Sequence, residues 1–416
     1  MAVSAAGRTR ADPYAALRLR DFRLYLVGNF LGTVGMEMLT VAVAWELYER
    51  THSALALGGV GLAQVAPVFA LTLPAGHVVD RFDRRHVLIA AQLLLAVSAF
   101  GLAVVSVTHA AVPLVYALLV GAGVSRAFQS PAKEALSAQL VPPELFGNSA
   151  TWRSGSWQLA AVLGPATGGA VIGLAHSAAP AFVLAGLGAI VLAACIAPVR
   201  PRPHVRSAAG AGAFETLVAG LRFVWRTPLI LATITLDMFA VLLGGTTMLL
   251  PIFAKDILHV GPAGLGWLLA APATGAIVTA FALAHRGPLR RAGRALFVAV
   301  AAFGLATLGF ALSRSFGLSL VLLALVGSFD MVSVVIRSTL LQVLTPDELR
   351  GRVAAVNGLF VGTSNELGGF ESGVTAAWLG PVGSAVLGGL GAVLVAVVIF
   401  GAWPDLRRLG RLEEAG

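Results

Sequence analysis

GHVVDRFDRRHV, residues 76–87, packs a knot of charge into an otherwise oily stretch. Five of the six residues from Asp80 to Arg85 are charged, in a chain where only 12% are. LIAAQLLLAVSAFGLAVV follows at once, residues 88–105. An apolar run of that length crosses a hydrocarbon core of about 30 Å as a helix. The knot then reads as the short polar turn between two crossings.

Outward from the knot, the pattern repeats along all 416 residues, 57% of them hydrophobic with mean hydropathy +0.86. A soluble domain covers itself with roughly 25–35% charged residues at its surface, and this chain has too few. Twelve apolar runs are expected as membrane helices: 22–48, 54–78, 86–107, 111–138, 148–176, 179–199, 229–255, 262–285, 294–313, 316–344, 351–378 and 381–402. The first is too long for the core of a cleaved signal and is taken as a retained span. The single cysteine, Cys195, excludes an intramolecular disulfide and a thiolate metal cluster.

The net charge of +9 comes from Arg in the gaps, with only two lysines in the chain. Scattered this way, the charge points to membrane orientation and not to nucleic acid. Of the 29 basic residues, 22 fall at the termini, in the 79–86 turn and in 200–228, 286–294 and 345–352. The opposite ends hold Arg50, Lys255 and Arg314. The Arg-rich side is therefore expected to be cytoplasmic, with both termini there.

The longest polar break, RPRPHVRSAAGAGA (200–213), precedes an amphipathic stretch, 214–228, suited to the membrane interface. It divides the chain into 1–199, a linker at 200–228 and 229–416. The halves repeat. Pro142-x-Glu144-Leu145-x-Gly147 with Ala150 recurs as Pro346-x-Glu348-Leu349-x-Gly351 with Ala354, offset by 204 residues. The same offset carries Lys133 onto Arg337 and sets the 80–85 knot close to 285–294. The expected fold is an all-α membrane protein: twelve helices in two pseudo-symmetric six-helix bundles, a transporter pattern.

Charges within spans cost a few kcal/mol or more and ask for a reason. Spans 3, 6, 9 and 12 lack them and should face lipid. Spans 1, 4, 7, 10 and 11 carry Glu37, Arg126, Asp237, Asp330, Arg337, Glu366 and Glu371, and should line a wet interior. Glu37 and Arg126, at similar depth, are expected to pair, either as a structural bond or as a substrate and proton site. Asp330 and Arg337 are about 10 Å apart along one helix, so Asp330 has no local partner. Glu366 has none either. Asp237 is expected near the cytoplasmic water line. The cavity should be mostly aliphatic and suit bulky amphipathic compounds.

These residues resemble the major facilitator superfamily over nearly the whole chain. Gly76-x-x-x-Asp80-Arg81-x-x-Arg84-Arg85 is similar to that family's cytoplasmic loop signature, with Asp83 where the broader pattern has Gly. DFRLYLVGNFLGTVGMEM (21–38), LVPPELFGNSATW (140–152) and ELRGRVAAVNGLFVGTSNELG (348–368) resemble a branch of enterobactin-exporter-like and macrolide-efflux-like proteins. Gly164-Pro165-x-x-Gly168-Gly169 looks like the kinked fifth-span signature of proton-driven exporters, and Arg126-x-x-Gln129-Ser130 like an exporter pattern with Ser for Gly.

The resemblance implies drug:proton antiport by alternating access. Asp80, Arg81, Arg84 and Arg85 would then latch the cytoplasmic side shut in the outward-open state. The proton carrier is expected to be Glu366 or Asp330, with Glu37 behind them. An importer or lipid flipper on the same scaffold is the alternative. The implied partners are a small-molecule substrate, protons and membrane lipids, in the cytoplasmic (inner) membrane, with the chain a monomer. No metal or cofactor is called for. No phosphate-binding loop accompanies Lys133 or Lys255, and no His-Glu-x-x-His or Gly-x-Ser-x-Gly occurs, so an enzyme is not expected.

Overall fold

The computed structural model describes residues 12–202, 213–285 and 291–410, and within them the chain is helical with no strand. Six long helices come first: α1 (Arg20–Thr51), α2 (Ala54–Arg81), α3 (Arg84–Thr108), α4 (Val112–Leu140), α5 (Phe146–Ala175) and α6 (Ala179–Ile196). A shorter α7 (Ala213–Arg226) occupies the expected amphipathic stretch, while most of the preceding polar break, 203–212, lies outside the described residues. Then follow α8 (Pro228–Gly244), α9 (Gly261–His285), α10 (Ala292–Leu312) and α11 (Phe316–Leu344). The last long stretch, Arg350–Ala402, is broken at Gly380, whose φ of 74° only glycine adopts without strain. Its arms are α12 (350–379) and α13 (381–402), and Pro404–Arg408 adds a short α14. Among the described residues, eleven stretches are long and apolar enough to cross a membrane when that broken one is taken whole.

Local chemistry sets the ends. The charge knot is nearly all helix: Asp80 and Arg81 close α2, and Asp83 caps α3 by accepting from the Arg85 amide at 2.8 Å. A glycine there could not cap in this way. The repeated Pro-x-Glu-Leu segments make the same turn, with Leu145 N–H donating to Pro142 O and Leu349 N–H to Pro346 O, both at 2.9 Å.

The helices of the two halves meet in the same order. In the first, α1 lies against α5 and α6, α3 against α4 and α6, and α2 against α4. In the second, Gly368 of α12 and Gly388 of α13 both abut α8, Gly304 of α10 abuts Gly389 of α13, and α11 lies against α9 and α10.

Contact across the halves runs through glycines. A Cβ on Gly169 of α5 would stand 2.8 Å from Gly266 Cα of α9, and one on Gly373 of α12 would stand 2.7 Å from Gly58 Cα of α2. Both contacts lie toward the Arg-poor ends of their helices. Gly169→Val is expected to hold that end apart, since overpacking costs about 1–3 kcal/mol. A cysteine at Thr247, with Cys195 replaced by Ser, should then label faster with an impermeant maleimide from that side.

Candidate functional site

Between the halves, α1, α2, α4, α5 and α12, with the segment after α8, enclose a cavity of about 470 Å³. Its walls include Leu57, Val60, Met36 and Met248, but also Thr33, Glu37, Thr40, Gln64, Arg126, Gln129, Lys133, Asn365 and Glu366. The cavity is thus far more polar than the expected aliphatic chamber. Thr33 and Thr40 turn their hydroxyls back onto the Asn29 and Met36 carbonyls, at 2.7 and 3.2 Å. On α4, Arg126, Gln129 and Lys133 fall at helical spacing on one face, and Trp157 of α5, 54% exposed, completes that wall.

One ion pair bridges the halves. Arg126 Nη1 donates to Glu366 Oε1 at 2.9 Å, and the same nitrogen lies 3.5 Å from Gln64 Oε1. The expected Arg126–Glu37 pair does not form, and Glu366 is not unpartnered. The reason is helix approach: α12 comes close to α2 at Gly58 and Gly61, and a Cβ on Gly61 would meet the Glu366 backbone. That brings a residue 240 positions away within reach of Arg126. Glu37 still lines the cavity, its Cβ packed against Gly164 of α5.

The other intramembrane charges sit elsewhere. Asp237 of α8 pairs with Arg337 of α11, and Ser333 Oγ donates to Asp237 Oδ1 at 3.4 Å. Both charged residues are 5% exposed, so Asp237 is not at the water line. Asp330 faces a void of about 10 Å³ beside Asp237 and Ser333, enough for roughly one water. These three charges lie among the helices of the second half, not on the central cavity, which corrects the expectation that every charged span lines a wet interior. Glu371 also lies off the cavity wall.

The remaining motif residues have plain contacts. Asp80 and Arg81 are exposed, and neither they nor Arg84 forms an ion pair among the described residues. Arg85 donates to Ala197 O and Val199 O, both at 3.1 Å, within its own half. Gly76 has no neighbour within 4 Å of an added Cβ. In the fifth-span motif, α5 runs as one helix through Pro165; Gly164 and Gly168 admit α1, and Gly169 admits α9.

A polar closure at the Arg-poor end escaped the sequence reading. Tyr48 donates to Asp256, and Lys255 pairs with Glu49 at 3.0 Å with His52 Nε2 at 3.5 Å. These bonds join the end of α1 to the segment after α8. The signal was available: Glu49, Lys255 and Asp256 are among the few charges on an Arg-poor side, at matching places in the two halves. Among the described residues, the opposite end leaves open space beside α12. Gly358 and Gly362 share the Asn365 face of α12, and an added Cβ on either meets nothing within 4 Å.

Residues 25–370 match the Major Facilitator Superfamily. The chain belongs to that family. It is therefore a multi-pass membrane transporter and not an enzyme. Among its relatives are the proteins called enterobactin exporter EntS in Citrobacter koseri and in Shigella boydii, each 27% identical over 403 residues, covering 93% of this chain and 92% of theirs. A solved bacterial homologue of the human lysosomal transporter Spinster, inward-facing and occupied, shares the fold with a TM-score of 0.72 at 15% identity, covering 94% of this chain and 97% of its own.

Proposed function

We propose that this transporter exports small amphipathic molecules of the drug or siderophore class from the cytoplasm in exchange for protons, by alternating access. The observation that carries the reading is the Arg126–Glu366 pair, joining the halves across a cavity closed at the Tyr48–Asp256 end. The exporter names of the EntS relatives support the direction. Either side of Gly380 counts as one crossing, which gives twelve spans with both termini in the cytoplasm. Residues 1–199 and 229–416 are the two rocking bundles, linked by 200–228, in the inner membrane of a monomer.

The chemistry follows from the bond that joins the halves. A proton on Glu366, or another anion at Arg126, removes the attraction between Arg126 and Glu366 and favours their parting. The cavity open toward the Arg-rich side then represents the deprotonated state, ready for cytoplasmic substrate. When the bundles rock, a proton from outside neutralises Glu366, and its release inside re-forms the pair. Each proton carried inward gains about 2.3 kcal/mol per 100 mV of membrane potential. Glu37, beside the pair, is the second carboxylate of the site, while Asp330, Asp237 and Glu371 stand outside it. In the outward-open state Asp80, Arg81, Arg84 and Arg85 latch the cytoplasmic ends, with anionic lipid headgroups beside the arginines.

Inverted vesicles, cytoplasmic face outward, test the direction. With an acid interior they should accumulate a fluorescent amphipathic dye and lose it when the gradient is collapsed. Accumulation only in right-side-out vesicles would make the protein an importer.

A further inference from the structure

Lys133 is in no ion pair among the described residues. The residue lines the central cavity, on the face of α4 that also carries Arg126 and Gln129. None of the ion pairs or hydrogen bonds among the described residues includes it. Its neighbour Glu134 is held by Arg153, whose other nitrogen donates to Ser137 Oγ at 2.8 Å. The two carboxylates on the cavity wall, Glu37 and Glu366, stand near Arg126, and Glu366 is already bonded to it.

The internal repeat shows what is missing. The 204-residue offset carries Lys133 onto Arg337, which is buried against Asp237. The same offset carries Asp237 back onto Thr33, which lines the cavity with Lys133. No carboxylate occurs on α1 between Asp21 and Glu37, so a small slip in the alignment would not supply one. The second half therefore satisfies this cation internally, while the first half leaves it facing the cavity. Unpaired charge inside a membrane protein is costly, and a bound anion would remove that cost.

We infer that Lys133 is the anion-binding group of the substrate site, and that the transported molecule carries an acidic group next to a flat apolar body. The exposed indole of Trp157, on the same wall, supplies the surface for that body. The inference rests on the central cavity being the substrate site. Thr33 and Gln129 add polar groups to the cavity lining, and Leu57, Val60 and Met248 add apolar ones.

Binding to purified protein in nanodiscs tests this with a matched pair of probes, 1-naphthoate and 1-naphthamide, read by quenching of tryptophan fluorescence and by thermal shift. The naphthoate should bind roughly tenfold to a hundredfold more tightly than the amide. Lys133→Met should erase that difference, Lys133→Arg should keep it, and the amide should bind alike to all three. Lys133→Met should melt no lower than the parent, because it removes an unpaired charge and not a bond. Equal binding of the two probes to the parent overturns the inference, and so does an intact preference in Lys133→Met. Glu366→Gln separates this from the transport mechanism. If it leaves proton-driven transport intact while Lys133 still sets the anion preference, the coupling scheme is wrong and the anion site stands.

Discussion

Glu366→Gln is expected to abolish proton-driven transport while leaving the protein folded. Gln keeps the shape and can still accept a hydrogen bond from Arg126, but it cannot gain or lose a proton. Proteoliposomes should show no accumulation under a pH gradient, and substrate addition should no longer move protons. Exchange of labelled for unlabelled substrate should persist, since it needs no net proton movement. The stability cost is small, and the reason is water. Arg126 is 45% exposed at its side chain and Glu366 13%, so the cavity screens the pair. An ion pair this wet is worth up to about 1 kcal/mol. Function and stability therefore part at this site. A Glu366→Gln variant that still pumps against a gradient would remove Glu366 as the proton carrier and leave Glu37 as the carboxylate on the cavity wall.

The second large effect runs the other way. Asp237 and Arg337 are about 6–7% exposed at their side chains, shielded from bulk water by the helices around them. Asp237→Leu or Arg337→Met alone should destabilise the protein by about 3–5 kcal/mol, because either leaves a bare charge among packed helices. Removing both should recover most of that loss, and a well-packed apolar replacement can even stabilise by about 1–4 kcal/mol. The double variant should also keep its transport. Unfolding in mild detergent, followed by near-ultraviolet circular dichroism, reads the first quantity, and the vesicle assay reads the second. If the double variant is stable but inactive, the pair belongs to the coupling machinery and not only to the scaffold. Asp330, beside the same pair, should then be tested next.

Comparing these two pairs shows why sequence reading went wrong at one and was silent at the other. Glu37 and Arg126 share a depth and a half of the molecule, so pairing them was the economical guess. Arg126 instead reaches Glu366 on the far half. That contact exists because Gly58 and Gly61 let α12 come close to α2. Glycine marks a possible close approach in sequence, but it does not say which helix will arrive. Asp237 and Arg337 stand within apolar runs in the sequence, with Asp237 expected near the water line, but their burial as a pair depends on how α8 and α11 lie together. The closure at Tyr48, Asp256, Glu49 and Lys255 is of the same kind, since it joins two segments about 200 residues apart.

The crossings, their ends and the internal repeat came from the sequence alone. Solvent imposes them: an apolar run in lipid must satisfy its backbone within itself, so it becomes a helix whatever its neighbours are. Polar punctuation such as Asp83, the two Pro-x-Glu-Leu turns and Gly380 then ends each helix locally. Only the tertiary structure decided which charges meet. Helix–helix packing in lipid is set by close van der Waals fit and by scattered polar contacts, and those terms depend on the faces two helices present to each other. The cavity, its bridging ion pair and the unmatched Lys133 all belong to that second level.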